Sequence, residues 1–129
     1  MEIKERLEVN SQAEWRAWLE ANHQAKAEIW LVIYKSKASK GRLTLAQATL
    51  EAVCFGWVDS QLKPLDAGSY ALRFSPRRRK SHWAASNINR ALQMLREGKM
   101  AAAGMAVLPE EVRRVWEEEG GTAAGSTTD

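Results

Sequence analysis

The sequence predicts an α+β domain in which a small, mainly antiparallel sheet of about three to four strands is covered by about four to five helices. Three observations lead there. Helical patterns opened by capping signals flank a run at Glu28–Lys35 rich in Ile, Trp, Val and Tyr, the residues that fit a pleated, buried surface. A strand–turn–strand pattern near residues 60–75 keeps one face mostly apolar in a single register. The 129 residues, 45% hydrophobic with six tryptophans, suffice for one core. The expected domain covers residues 1–119, and Gly120–Asp129 is a Gly/Ser/Thr tail whose composition predicts disorder.

Each element has a local cause. Ser11 and Glu14 form a capping-box pattern that opens a helix to about Asn22, with Trp15, Trp18 and Leu19 at helical spacing toward the core. Glu28–Lys35 is a buried strand, and Ser36–Arg42 a solvated Lys/Ser/Gly loop without phosphate-loop spacing. Thr44 and Gln47 repeat the capping box and start a helix to about Trp57, apolar on most sides and therefore central. The hairpin turns at Asp66-Ala67-Gly68, whose last position suits glycine. That register pairs Leu62 with Leu72 and Pro64 with Tyr70. It puts Ser60, Leu62, Tyr70, Leu72 and Phe74 on the core face, and Asp59, Gln61, Lys63, Arg73 and Ser75 on the other. Pro76 ends the strand and Arg77–Lys80 make an exposed cationic turn. A helix from about Ser86 buries Ile88, Leu92 and Leu95 and stops at Gly98. A short helix from Met100 and a last one, with Pro109 in its first turn and running through Val112, Val115 and Trp116, complete the chain.

Charge narrows the partner. Residues 60–99 carry nine basic and two acidic side chains, a net of +7, whereas residues 100–129 carry a net of −4. The basic segment favours an anionic small molecule or polymer; the acidic end, complementary to it, suits a protein partner or a homo-oligomer. One cysteine excludes an internal disulfide framework, fits a reducing compartment, and at Cys54 reads as a buried, inert thiol. With two histidines and no paired spacing there is no metal signature, and no cofactor is implied. The charged N-terminus lacks a signal-peptide pattern and no apolar run approaches a membrane span, so a cytoplasmic protein without a transmembrane segment is expected.

Four segments carry a family resemblance: Glu28-Ile-Trp-Leu-Val-Ile-Tyr-Lys35, Glu51-Ala-Val-Cys-Phe-Gly-Trp-Val-Asp-Ser60, Arg73-Phe-Ser-Pro-Arg77, and Ser81-His-Trp83 through Asn87 and Arg90. Over about Trp15 to Met105 the chain resembles the YdeI/OmpD-associated family, also labelled bacteriocin-protection proteins. It departs from that pattern at Leu45, Ser75, Arg78-Arg79 and Pro109. The resemblance implies a bacterial setting of antimicrobial-peptide resistance or association with an outer-membrane porin, and no established reaction. The basic segment would repel a cationic peptide, so regulation or binding of an anionic cell component fits the charges better than sequestration of the peptide.

The candidate ligand-binding residues are Trp57, Asp59, Lys63, Arg73, Ser75, Arg77, Trp83, Asn87 and Arg90. Lys63 and Arg73 on the polar hairpin face, Arg77 in the turn and Arg90 on the next helix supply cations, and arginine's planar fork suits phosphate or carboxylate. Ser75 shares the face of Arg73. Asp59 orients a guanidinium or, as the plainer alternative, pairs with Arg73 across a solvated sheet. Trp57 or Trp83 is the aromatic wall. A nucleic-acid module, with Trp83, Asn87 and Asn89 among the basic residues, is one alternative function, although no known nucleic-acid motif is present. An enzyme acting on a small anionic substrate through Asp59, Ser60, Lys63 and Arg73 is another; no histidine stands ready to activate Ser60, and no catalytic residue is assigned.

Overall fold

The computed structural model describes residues 5–35, 42–78 and 81–122. Its elements run β1 (Arg6–Leu7), α1 (Gln12–Asn22), β2 (Ile29–Tyr34), α2 (Leu45–Cys54), β3 (Trp57–Asp66), β4 (Ser69–Pro76), α3 (Ala85–Arg96), α4 (Ala102–Ala106) and α5 (Glu110–Glu118). The fold is α+β, with one sheet in the order β1-β2-β4-β3. β2, β4 and β3 are antiparallel, while β1 joins parallel to β2 and makes the sheet mixed. Two residues carry no hydrophobic period, so β1 leaves no signal in the sequence. Most of the loop expected at Ser36–Arg42, the residues Arg79 and Lys80, and residues 123–129 of the expected tail lie outside the described residues.

The capping residues act at the positions their spacing predicts. Ser11 accepts from the backbone of Glu14, and Thr44 forms a full capping box with Gln47. The Glu14 carboxylate accepts from the Asn10 N–H at 2.8 Å. α2 ends at Cys54, earlier than its apolar pattern suggests. Gly56 takes a positive φ of +73° there and turns the chain so that Trp57 opens β3. Gly98, at φ +72°, closes α3 in a Schellman arrangement: Lys99 N–H donates to Met94 C=O at 2.9 Å and Gly98 N–H to Leu95 C=O at 3.1 Å. Pro109 is the N-cap of α5, one place outside the expected first turn.

The helices cover one face of the sheet. Ile29, Leu31 and Ile33 of β2 and Leu72 and Phe74 of β4 meet Trp15 and Leu19 of α1, the apolar side of α2, and Leu92 and Leu95 of α3. Trp15, Trp18, Trp57 and Phe74 form an aromatic cluster, with Trp18 and Trp57 edge to face at 5.8 Å between centroids. The buried Trp15 indole donates to Ala48 C=O at 3.0 Å, tying α1 to α2. Gly104 lets α4 lie directly on the end of α2, where a Cβ would stand 2.3 Å from the Cys54 carbonyl oxygen.

The hairpin keeps the expected pairs Leu62–Leu72 and Pro64–Tyr70 but not the expected faces throughout. Ser60 and Gln61 together oppose Arg73, a bulge that shifts the register by one. Before it, Asp59 pairs with Phe74 and so turns to the helix side of the sheet, while Ser60 moves to the side of Arg73. Both placements reverse the sequence reading, because alternation was continued through residues where it breaks. Leu62, expected in the core, lies on the edge strand and is 54% exposed. The turn is also shorter than expected: Asp66 pairs with Ser69, leaving Ala67 and Gly68 as the loop. The Asp66 carboxylate accepts from Gly68 N–H and Ser69 Oγ, which holds its pKa below the usual range. Farther along, Gly121 N–H donates to Trp116 C=O and the Trp116 indole to Thr122 C=O, so Gly120–Thr122 close against α5.

Candidate functional site

The basic segment converges where β4 ends. The Trp57–Pro76 pair closes the ladder, and the next residue, Arg77, donates its backbone N–H to Gly56 C=O at 2.8 Å. This bond fixes Arg77 at the junction of α2 and β3. The chain then turns, with Ser81 N–H on Arg78 C=O, and brings Trp83 back beneath Arg77. The Arg77 guanidinium stacks on the Trp83 ring at 3.8 Å to its centroid. Its one amino group reaches Ser81 Oγ at 3.3 Å and His82 C=O at 3.5 Å.

Arg77 is 9% exposed, which corrects the expectation of a wholly exposed turn; Arg78 next to it is exposed. Burial lowers the Arg77 pKa, and the negative charge of Asp59 opposes that shift. Arg77 has no carboxylate within ion-pair distance among the described residues, and its buried Nε–H has no hydrogen-bond partner. Stacking on Trp83 and the two long hydrogen bonds compensate the buried charge only in part, because the Nε–H is left unmet.

Arg77 lines a cleft of about 510 Å3 together with Arg73, Ser75, Arg78, Ser81 and His82. Arg73 enters from β4, but its guanidinium is already engaged. Its Nε donates to Glu28 at 2.6 Å, and its amino group reaches Ser60 at 3.2 Å and Ser75 at 3.5 Å. Glu28, 45 residues away in sequence, therefore takes the place assigned to Asp59 as partner of Arg73. Arg77 and Arg78 are left as the two arginines of the cleft without a carboxylate partner among the described residues.

Of the sequence candidates, the cleft brings together Arg73, Ser75 and Arg77, with Trp83 as the platform under Arg77. The others lie elsewhere. Trp57 is 2% exposed and belongs to the aromatic core, so it is no ligand wall. Asp59, paired with Phe74 on the helix side of the sheet, does not line the cleft. Lys63 sits past the bulge opposite Ala71. Asn87 and Arg90 pair with each other along α3 at 2.8 Å and do not line the cleft. Arg78, Ser81, His82 and Glu28 were not among the candidates. The available signal was the spacing of Trp83, an aromatic ring six residues after Arg77 in sequence.

A second groove of about 420 Å3 begins at Ser81 and Trp83 and continues along Ala106, Val107, Leu108 and Pro109 to Glu110. A third polar cluster lies across the molecule. There the Glu51 carboxylate, 3% exposed, accepts from Gln12 at 2.6 Å and Arg16 at 2.8 Å, and Arg16 donates onward to Lys99 C=O at 2.9 Å. Its donors and acceptors satisfy one another, so it clasps α1, α2 and the end of α3 together. Beside it, burial raises the Cys54 thiol to about 12. No helix among the described residues is long and apolar enough to cross a membrane.

No curated protein and no solved structure matches the chain. A family model described as a domain of unknown function, DUF8412, matches residues 7–107, a span that takes in β2–β4, α1–α4 and every residue of the arginine cleft. The chain belongs to that family.

Proposed function

We propose that this protein is a bacterial, cytoplasmic binding protein that holds an anionic ligand in the cleft formed by Arg73, Ser75, Arg77, Arg78 and Ser81. The observation that carries the reading is Arg77. Its guanidinium is buried, stacked on Trp83 and, among the described residues, without a carboxylate partner and with an unused Nε–H. Keeping a desolvated cation in that state costs stability, which an anion in the cleft would offset through charge-assisted hydrogen bonds. Ser75 and Ser81 add neutral donors, and the Glu28 clasp holds Arg73 in place as one wall. The resemblance to the YdeI/OmpD-associated family supports a setting of stress or peptide resistance.

Thermal unfolding with phosphate, sugar phosphates, nucleotides, polyphosphate and short oligonucleotides, each at low and moderate salt, tests the reading. A ligand that stabilises the wild type at moderate salt but not Arg78→Ala or Arg77→Met supports it. Stabilisation by oligonucleotides alone, with a steep salt dependence, would move the function to nucleic-acid binding. Equal shifts in all three proteins would remove the site.

A further inference from the structure

The arginine cleft and the groove beyond Trp83 share a wall. Ser81 lines both, and Trp83, which carries Arg77 on its ring, opens into the groove. The two spaces differ in character. The first presents Arg77 and Arg78; the second is walled by Trp83, Ala106, Val107, Leu108 and Pro109, and ends at the exposed carboxylate of Glu110. A ligand lying across Ser81 therefore meets two positive charges at one end, apolar surface in the middle and a negative charge at the far end.

We infer that the ligand is a soluble phosphate monoester bearing an uncharged, apolar arm, with the phosphate at Arg77 and Arg78 and the arm in the Trp83–Leu108 groove. The inference rests on the anion-binding reading of the cleft. Two features of the cleft select the head group, and one of the groove selects the arm. The two unpaired arginines match the dianion of a phosphate monoester, Arg73 being neutralised by Glu28. The Ser75 and Ser81 hydroxyls line the same cleft and can donate to the remaining phosphate oxygens. Glu110 disfavours a second anionic group on the arm. The groove supplies the rest of the affinity by removing apolar surface from water.

Isothermal titration of the full chain with inorganic phosphate, phenyl phosphate and an aryl bisphosphate tests this. The expected result is binding of phenyl phosphate about tenfold tighter than inorganic phosphate, a modest return for partial burial of one ring. The bisphosphate should bind more weakly than phenyl phosphate. Ala106→Gln, at an exposed wall position, should abolish the tenfold gain and leave inorganic phosphate unchanged. Equal affinity for phosphate and phenyl phosphate, or a gain that survives Ala106→Gln, would overturn the assignment of the arm while leaving the anion site intact. Failure of both to bind would overturn the anion reading and this inference together. Retention on phosphatidic acid vesicles that phenyl phosphate does not displace would assign the site to a membrane surface and overturn the soluble ligand.

Discussion

Replacing Arg77 with methionine should separate binding from stability. Removing the guanidinium forfeits its stacking on Trp83, worth about 2 kcal/mol for a desolvated pair, and two long hydrogen bonds worth about 0.5 kcal/mol each. It also relieves a buried, unpaired Nε–H, whose burden is about 1–3 kcal/mol, and the methionine thioether regains about 0.3–1.5 kcal/mol on the same ring. These terms nearly cancel. The expected change in stability is within about 2 kcal/mol in either direction, a Tm shift of at most about 10 °C for a chain of this size. Anion affinity should fall by about 10- to 100-fold, the loss of one charge-assisted hydrogen-bonding group. Urea unfolding followed by tryptophan fluorescence gives the first quantity and isothermal titration the second. A destabilisation above about 3 kcal/mol with undiminished anion affinity would refute the reasoning, because Arg77 would then be a structural strut.

Other expectations concern the frame that holds the cleft. Gly104→Ala would push a methyl group into the Cys54 carbonyl and should cost at least about 1–3 kcal/mol in urea unfolding; a neutral result would mean that α4 is free to move off α2. Glu51→Ala strips Gln12 and the part-buried Arg16 of their acceptor and should destabilise by about 2–3 kcal/mol, with Glu51→Gln milder; equal, negligible effects would show that the clasp contributes nothing. Cys54 should resist thiol reagents in the native state and react only on unfolding, and rapid native labelling would contradict its burial. Its thiol is held at about 12 when folded and titrates near 8.5 when unfolded, so the folded state binds more protons above that pH. Stability should therefore fall as pH rises from about 8.5 toward about 12, less steeply in Cys54→Ala; an unchanged slope would place the effect on Tyr34 and Tyr70, whose pKa values are also raised.

Features governed by short-range chemistry were legible in the sequence. Ser11 and Thr44 cap helices through residues three positions away, and Gly98 ends α3 through its own φ. Leu62–Leu72 and Pro64–Tyr70 pair as the alternation requires. Features created by the meeting of distant segments were not. Nothing near Ser60 announces the bulge, yet it moves Asp59 and Ser60 to opposite sides from those their spacing implies. Arg77 sits in a run of cations that reads as solvated, and its burial depends on Gly56 fixing its backbone and Trp83 returning beneath it. The Glu28–Arg73 pair joins the start of β2 to β4, which local pattern cannot convey. Trp57 was drawn toward the site by its neighbours in sequence, while its ring packs on Trp18.

Whether an anion engages Arg77 and Arg78 is read by an NMR titration of the labelled full chain with phosphate, observing the backbone amides and the arginine Nε–H groups. Saturable shifts confined to Ser75, Arg77, Arg78, Ser81 and Trp83 are expected, with the Arg77 Nε–H among the largest. Small, non-saturating shifts spread over the basic surface, or a saturable cluster elsewhere with Arg77 unmoved, would contradict that engagement.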